Sequence, residues 1–203
     1  MEDENYPGTF IVIEGPDGAG TTTQSKKLAE ELDAYWTAEP TDGKTGQKVE
    51  EMIRSDEYSA ESIALAFAAD RMLHLEEDVK GKLKNGEIVV TDRYYHSSLV
   101  YQPAFGAKYE WVELLNKNAL RPDITLVLDA SSEEVFSRLR DRENGKINQE
   151  NFDDKNQASL DMFSLNSEVV FEEMDFQKEV AKRYRKLDDI LEEEIILVNA
   201  SGS

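Results

Sequence analysis

The chain has 203 residues, 43 acidic against 23 basic, with two histidines and no cysteine. This length most simply makes one domain with a sizeable core, while the missing thiols exclude disulfide frameworks and thiolate metal sites, and His74 and His96 alone argue against a dedicated zinc site. A net charge of −20 argues against bulk binding to nucleic acid or anionic membranes, which need positive surface.

In chain order, the apolar run Thr9–Glu14 predicts a buried strand, and Gly15–Gly20 a glycine-rich turn. Thr22 to about Ala34 has helical spacing, with Leu28 and Leu32 on one face. A long helical stretch follows over Ala60–Leu83. Asn85-Gly86 then announces a second buried strand, Glu87–Asp92. Tyr109–Leu120 reads as a helix, and Arg121-Pro122-Asp123 announces a third strand, Ile124–Asp129. Ser132–Arg142 and Val169–Leu191 read as helices, and Ile195–Asn199 as the last strand. Continuous apolar strands alternating with helices predict an α/β chain, a parallel sheet covered on both faces in three layers. No repeat or low-complexity linker interrupts residues 1–203, which read as one domain.

The apolar runs are strand-sized, so no bilayer-crossing segment is expected. The N-terminus lacks the apolar stretch of a signal peptide, and the expected location is the cytoplasm. The acids are spread along a chain with strong apolar periodicity, unlike a disordered acidic tail. They predict a folded surface adapted to high intracellular salt, as in a halophilic archaeon, with salt screening the self-repulsion.

Gly15-Pro16-Asp17-Gly18-Ala19-Gly20-Thr21-Thr22 follows a predicted strand and opens a predicted helix. The glycines at the first and sixth places, with Thr22 in the magnesium-ligand place, follow the Walker A pattern. Backbone N–H groups of such a loop and helix N-terminus converge on phosphate oxygens. The lysine of the pattern is replaced by Thr21. Lys26 and Lys27 lie more than a helical turn further on, so positive charge from another segment is the better substitute. A glycine-rich turn without a ligand is the bland alternative.

Taken together, Glu14–Gln24, Thr37-Ala38-Glu39-Pro40-Thr41, Phe67-Ala68-Ala69-Asp70-Arg71, Asp92-Arg93-Tyr94, Arg121-Pro122-Asp123, Phe171-Glu172, Asp175-Phe176 and Arg183-Tyr184 resemble the thymidylate kinase family, in order and spacing, from about Phe10 to Asn199. The resemblance implies a P-loop NTPase fold with a mobile lid at about 141–158. It implies transfer of the ATP γ-phosphoryl group to dTMP, giving dTDP and ADP, with magnesium bridging the donor phosphates. ATP would lie on Gly15, Pro16, Asp17, Gly18, Ala19, Gly20, Thr21, Thr22 and Thr23. The metal would lie at Thr22 and Asp92. The family's members are generally homodimers.

For the acceptor, the resemblance implies Asp17 on the deoxyribose 3′-hydroxyl, Phe67 stacked on thymine, Arg71 donating to its O4, and Ser98 near the base. Tyr101 would exclude a ribose 2′-hydroxyl. Asp92 stands at the carboxyl end of a strand, where open α/β sheets bind ligands, and Arg93 has a planar fork suited to the acceptor phosphate. Arg140, with Arg138 and Arg142 beside it, could close over the phosphates and supply the charge missing at Thr21. Residue types alone leave other readings open. Asp17 could serve the helix N-terminus, Phe67 and Arg71 could be core and snorkelling neighbours, Asp92-Arg93 could be a strand-end ion pair, and the arginines could pair with Asp141 or Glu143. His96 reads as a packed or surface residue.

Three departures stand out. Thr21 replaces the lysine, Ala38 stands where many microbial members have arginine, and residues from about Glu143 to Val170 are longer and less basic than a usual lid. They leave room for a kinase acting on another nucleoside monophosphate, or for a nucleotide-binding paralogue weakened in catalysis.

Overall fold

The computed structural model describes residues 6–55, 57–131, 135, 138 and 169–200. Five strands, β1 (Thr9–Glu14), β2 (Tyr35–Ala38), β3 (Ile88–Asp92), β4 (Ile124–Asp129) and β5 (Ile195–Asn199), form one parallel sheet in the order β2-β3-β1-β4-β5. Alternate residues of the central strand enter two different cores. Phe10 and Val12 pack with Val89, Val127, Leu75, Val79 and Leu83, while Ile11 and Ile13 pack with Val90, Leu128 and Ala29 on the other face. Both faces are therefore apolar, which is why β1, β3 and β4 read as nearly unbroken hydrophobic runs. The α/β class expected from the sequence is the one observed.

The helices are α1 (Thr21–Glu31), α2 (Lys44–Ile53), α3 (Ala60–His74), α4 (Lys80–Lys84), α5 (Tyr95–Ala104), α6 (Tyr109–Asn116), α7 (Val169–Tyr184) and α8 (Leu187–Ile190). Ser59 caps α3, its hydroxyl accepting from Ser62 N at 3.2 Å. The helix expected over Ala60–Leu83 is nearly continuous, but a π-turn at Leu75–Val79 separates α3 from α4. Helix α1 stops earlier than its spacing suggested, because Asp33 takes a φ of 50° and turns the chain into β2. Helix α6 ends at Asn116, and Val169–Leu191 divides into α7 and α8. Strand β2 and helices α2 and α5 were not anticipated. Apart from Val135 and Arg138, the helix expected over Ser132–Arg142 lies outside the described residues, as does the lid at 141–158.

The register sets the site. Ile13 is opposite Asp92, and Asp92 is opposite Ala38, so the ends of β1, β2 and β3 line up at one edge. The loops carrying Asp17, Glu39 and Arg93 all leave from there. Among the described residues, no helix is long and apolar enough to cross a membrane.

Candidate active site

The glycine-rich segment forms the turn between β1 and α1. Gly15 has φ 155°, and a Cβ there would lie 3.0 Å from the Leu128 carbonyl oxygen. Gly20 caps α1 at φ 95° and contributes no side-chain hydrogen bond. The N-cap position of α1 therefore supplies no side-chain acceptor of its own, and a helix N-terminus entered from a glycine turn is an arrangement that receives anions. Thr21, in the lysine's place, is buried at 7 % exposure. Thr22 Oγ1 donates to Asp92 Oδ2 at 2.5 Å, and Asp92 Oδ1 is buried with no hydrogen-bond partner among the described residues. A hydroxyl and a carboxylate with a spare oxygen make a donor set that fits a hard dication completed by phosphate oxygens and water. Among the described residues, no cluster of three or more acidic, histidine or cysteine side chains could hold a metal by itself.

Arg93 follows directly after β3 and has φ 69°, a left-handed backbone unusual for a residue with a side chain. Its backbone is held on both sides: its N–H donates to the Ile13 carbonyl at 2.9 Å, and its carbonyl accepts from Thr91 Oγ1 at 2.9 Å. That enforcement aims the guanidinium at the phosphate loop. Nη2 donates to Asp17 Oδ1 at 2.6 Å, while Nη1 donates to Ser97 Oγ at 3.1 Å and the Tyr184 hydroxyl at 3.3 Å. Burial works against its charge, but Tyr101, Asp17, Tyr184 and Glu14 outweigh it and hold its pKa well above the ordinary value. The Tyr101 hydroxyl accepts from Asp17 N at 3.1 Å, so Asp17, Arg93 and Tyr101 form one cluster. Burial, and then the Asp17 charge, push the Tyr101 phenol up.

Beneath this cluster lies Glu14, fully buried, accepting from Tyr94 N, Ser97 N, Ser97 Oγ and the Tyr184 hydroxyl. Burial raises its pKa, and Arg93 and these donors oppose the shift. Beside the cluster opens a cavity of about 580 Å³ lined by Asp17, Phe67, Arg71, Arg93, Ser98 and Tyr101, among others. The structure thus brings together all the side chains expected to bind the acceptor. Arg71 is 1 % exposed; Nε donates to Glu39 Oε2 at 2.8 Å, Nη1 to Asn116 Oδ1 at 2.5 Å and Nη2 to Ser98 Oγ at 3.3 Å.

The family model for thymidylate kinase matches residues 13–203. The chain belongs to the thymidylate kinase family. A curated relative named "Probable thymidylate kinase" from Methanococcus vannielii is 38 % identical over 181 residues, covering 89 % of this chain and 78 % of that one. A protein of the same name from Thermococcus gammatolerans is 36 % identical over 210 residues, covering 97 % and 90 %. A third, from Thermococcus onnurineus, is 43 % identical over 147 residues, covering 66 % and 72 %.

In this thymidylate kinase-family chain, Arg138 reaches the phosphate loop from outside: Nη1 donates to the Gly18 carbonyl at 3.4 Å and Nη2 to the Ala200 carbonyl at 3.1 Å. Arg140 lies outside the described residues. Lys26 sits over the Trp36 ring, 4.7 Å from its centroid. His96 is fully buried, and its Nε2 lies 2.9 Å from Glu193 Oε2, an acidic partner 97 residues away that the local sequence did not reveal. Burial, then Arg71, lower its pKa to about 3. Sequence reasoning assigned no role to Glu14, Glu39, Ser97, Asn116 or Tyr184. Glu14, Glu39 and Tyr184 did lie in motifs that carry the resemblance; Asn116 carried no signal of its own.

Proposed function

We propose that the turn from Gly15 to Thr23 holds ATP and that the 580 Å³ cavity holds dTMP, so that the chain transfers the γ-phosphoryl group to dTMP and yields dTDP and ADP. The observation that carries this reading is the double position of Asp17: it lies in the phosphate loop, lines the cavity and pairs with Arg93. Donor and acceptor surfaces therefore meet at one ion pair. The cavity has an aromatic wall at Phe67 for a base and a donor at Arg71 for its edge. At the loop end, Arg93 would exchange Asp17 for acceptor phosphate, releasing Asp17 toward the sugar hydroxyl. Thr22 and Asp92 would hold magnesium, which when bound neutralises charge on the donor phosphates. Catalysis on this reading is positioning and charge stabilisation.

Thr21 leaves the loop without its usual ammonium. Arg138, docked on the Gly18 carbonyl, is a cation already in contact with the loop, and Arg140 is a second candidate. On α3, Leu65 (51 % exposed) and Leu73 (41 % exposed) lie eight residues apart on one outward face, which supports a homodimer; Leu73→Glu should halve the mass measured by light scattering if so. On this reading the chain acts in the cytoplasm. The deciding assay is ADP formation from ATP and magnesium with a panel of nucleoside monophosphates, in low and high KCl, for wild type and Thr21→Lys. Turnover selective for dTMP is expected, with Thr21→Lys changing it little. Equal turnover of several acceptors, or none except in Thr21→Lys, would overturn the reading.

A further inference from the structure

Arg71 is held in a frame that reaches well beyond the cavity it lines. Glu39, just past β2, takes the Nε hydrogen through Oε2; its other oxygen lies 3.0 Å from His74 Nδ1. The far side of the imidazole, Nε2, lies 2.7 Å from Thr37 Oγ1. On the opposite flank, Asn116 Oδ1 takes an Nη1 hydrogen at 2.5 Å, and Asn116 is fixed in turn by Nδ2 donating to the Val112 carbonyl at 2.8 Å. Glu39, Arg71, His74 and Asn116 are all buried. Three elements, β2, α3 and α6, thus converge on one guanidinium.

Two consequences follow. First, the pair with Glu39, 2.8 Å away, leaves no net positive charge at this end of the cavity. Arg71 therefore offers donors to a neutral ring carbonyl, not a site for a phosphate, whereas Arg93 at the other end is aimed at the phosphate loop. Second, a guanidinium carries five N–H groups in a rigid fork. With Glu39, Asn116 and Ser98 taking one each, the remaining Nη hydrogens have a fixed direction. A ring carbonyl meets them as an acceptor; an exocyclic amino group meets them donor against donor and leaves both unpaired in a desolvated site.

We infer that Glu39, His74 and Asn116 are positioning residues that lock Arg71 as a carbonyl reader, and so set the preference for a 4-oxo over a 4-amino pyrimidine monophosphate. This rests on reading the cavity as the acceptor site. The test is the ratio of kcat/KM for dTMP to that for dCMP in the full chain. Asn116→Leu removes the acceptor from Nη1, and Asn116→Gln keeps both an acceptor for Nη1 and a donor for the Val112 carbonyl. Asn116→Leu is expected to lower the ratio about tenfold, the scale of one charge-assisted hydrogen bond, through the KM for dTMP and not the KM for ATP. Asn116→Gln should recover part of it. Glu39→Gln, which keeps the shape but removes the charge, should also lower the ratio, and it serves if Asn116→Leu does not fold by circular dichroism. A ratio unmoved while both acceptors decline together, in Asn116→Leu or in Glu39→Gln, would make these residues merely structural and overturn the inference alone. Wild type that does not turn over dTMP would overturn the acceptor assignment and this inference with it.

Discussion

Glu14 offers the sharpest test of how the phosphate loop is held from below. Oε1 accepts from Tyr94 N at 2.8 Å and Ser97 N at 3.1 Å, and Oε2 from Ser97 Oγ at 2.7 Å and the Tyr184 hydroxyl at 2.9 Å. In Glu14→Gln, the amide oxygen can keep both backbone donors. The amide nitrogen then faces two hydroxyls, each able to rotate and accept. The loss is the difference between charge-assisted and neutral bonds, offset by cheaper burial of a neutral group, about 1 kcal/mol net. Glu14→Ala instead strands two buried backbone N–H groups at about 1–3 kcal/mol each and leaves a void, about 4–6 kcal/mol in all. Against a total stability on the order of 5–15 kcal/mol, the alanine variant should be close to unfolding and the glutamine variant soundly folded. Urea unfolding in concentrated KCl, followed by fluorescence of Trp36 and Trp111, measures both. Equal losses, or an alanine loss under about 2 kcal/mol, would refute the idea that one carboxylate organises the two segments.

Asp92→Asn should lower kcat by about 100-fold or more and raise the magnesium concentration needed for half-maximal rate; an unchanged magnesium dependence would remove Asp92 from the metal site. Burial pushes Glu193 up to about 7, above its ordinary 4.5, so its contribution to stability is full below pH 4.5 and is lost as pH rises through about 7. His96 runs the other way: lowered from 6.5 to about 3, it contributes fully above pH 6.5 and loses that as pH falls toward 3. Subtracting the urea midpoints of Glu193→Gln from wild type between pH 5 and 8 should expose the Glu193 component, and a flat difference there would contradict it. With a net charge of −20, the urea midpoint should climb as KCl is raised well beyond physiological strength; a midpoint already at its plateau in dilute buffer would remove the case for a salt-adapted surface.

What the sequence revealed and what it hid divide along the range of the interactions involved. Strands β1, β3 and β4 were legible because burial writes an unbroken apolar run; β5, at the other sheet edge, was legible from its apolar run alone, although Ile196 and Leu197 are exposed. Strand β2 was not: it is four residues long and only half-buried at the sheet edge. Helix α5 was missed for the opposite reason. Tyr95, His96, Ser98, Leu99, Val100, Tyr101 and Gln102 are all buried, so no polar face alternates with an apolar one, and Pro103 lies inside the helix. Phe67 and Arg71, and likewise Asp17 and Asp92, were singled out as candidates because family motifs mark them, and the structure gathers Asp17, Phe67 and Arg71 around one cavity.

The partners that hold those side chains in place were hidden by distance along the chain. Glu39 meets Arg71 across 32 residues, Asn116 meets it across 45, and Tyr184 reaches Glu14 across 170. A lone buried Asn at the end of an amphipathic helix looks, in sequence, like any polar residue near a helix terminus. Only when α6 packs on α3 does its amide meet a guanidinium. The aligned ends of three parallel strands are what convert these remote residues into neighbours, since each strand delivers its following loop to the same edge. The candidate site's side chains are marked by local motif, but their orientation is set by the sheet register. A slip of β2 against β3 would therefore displace Glu39, and with it the aim of Arg71, while leaving every motif in the sequence intact.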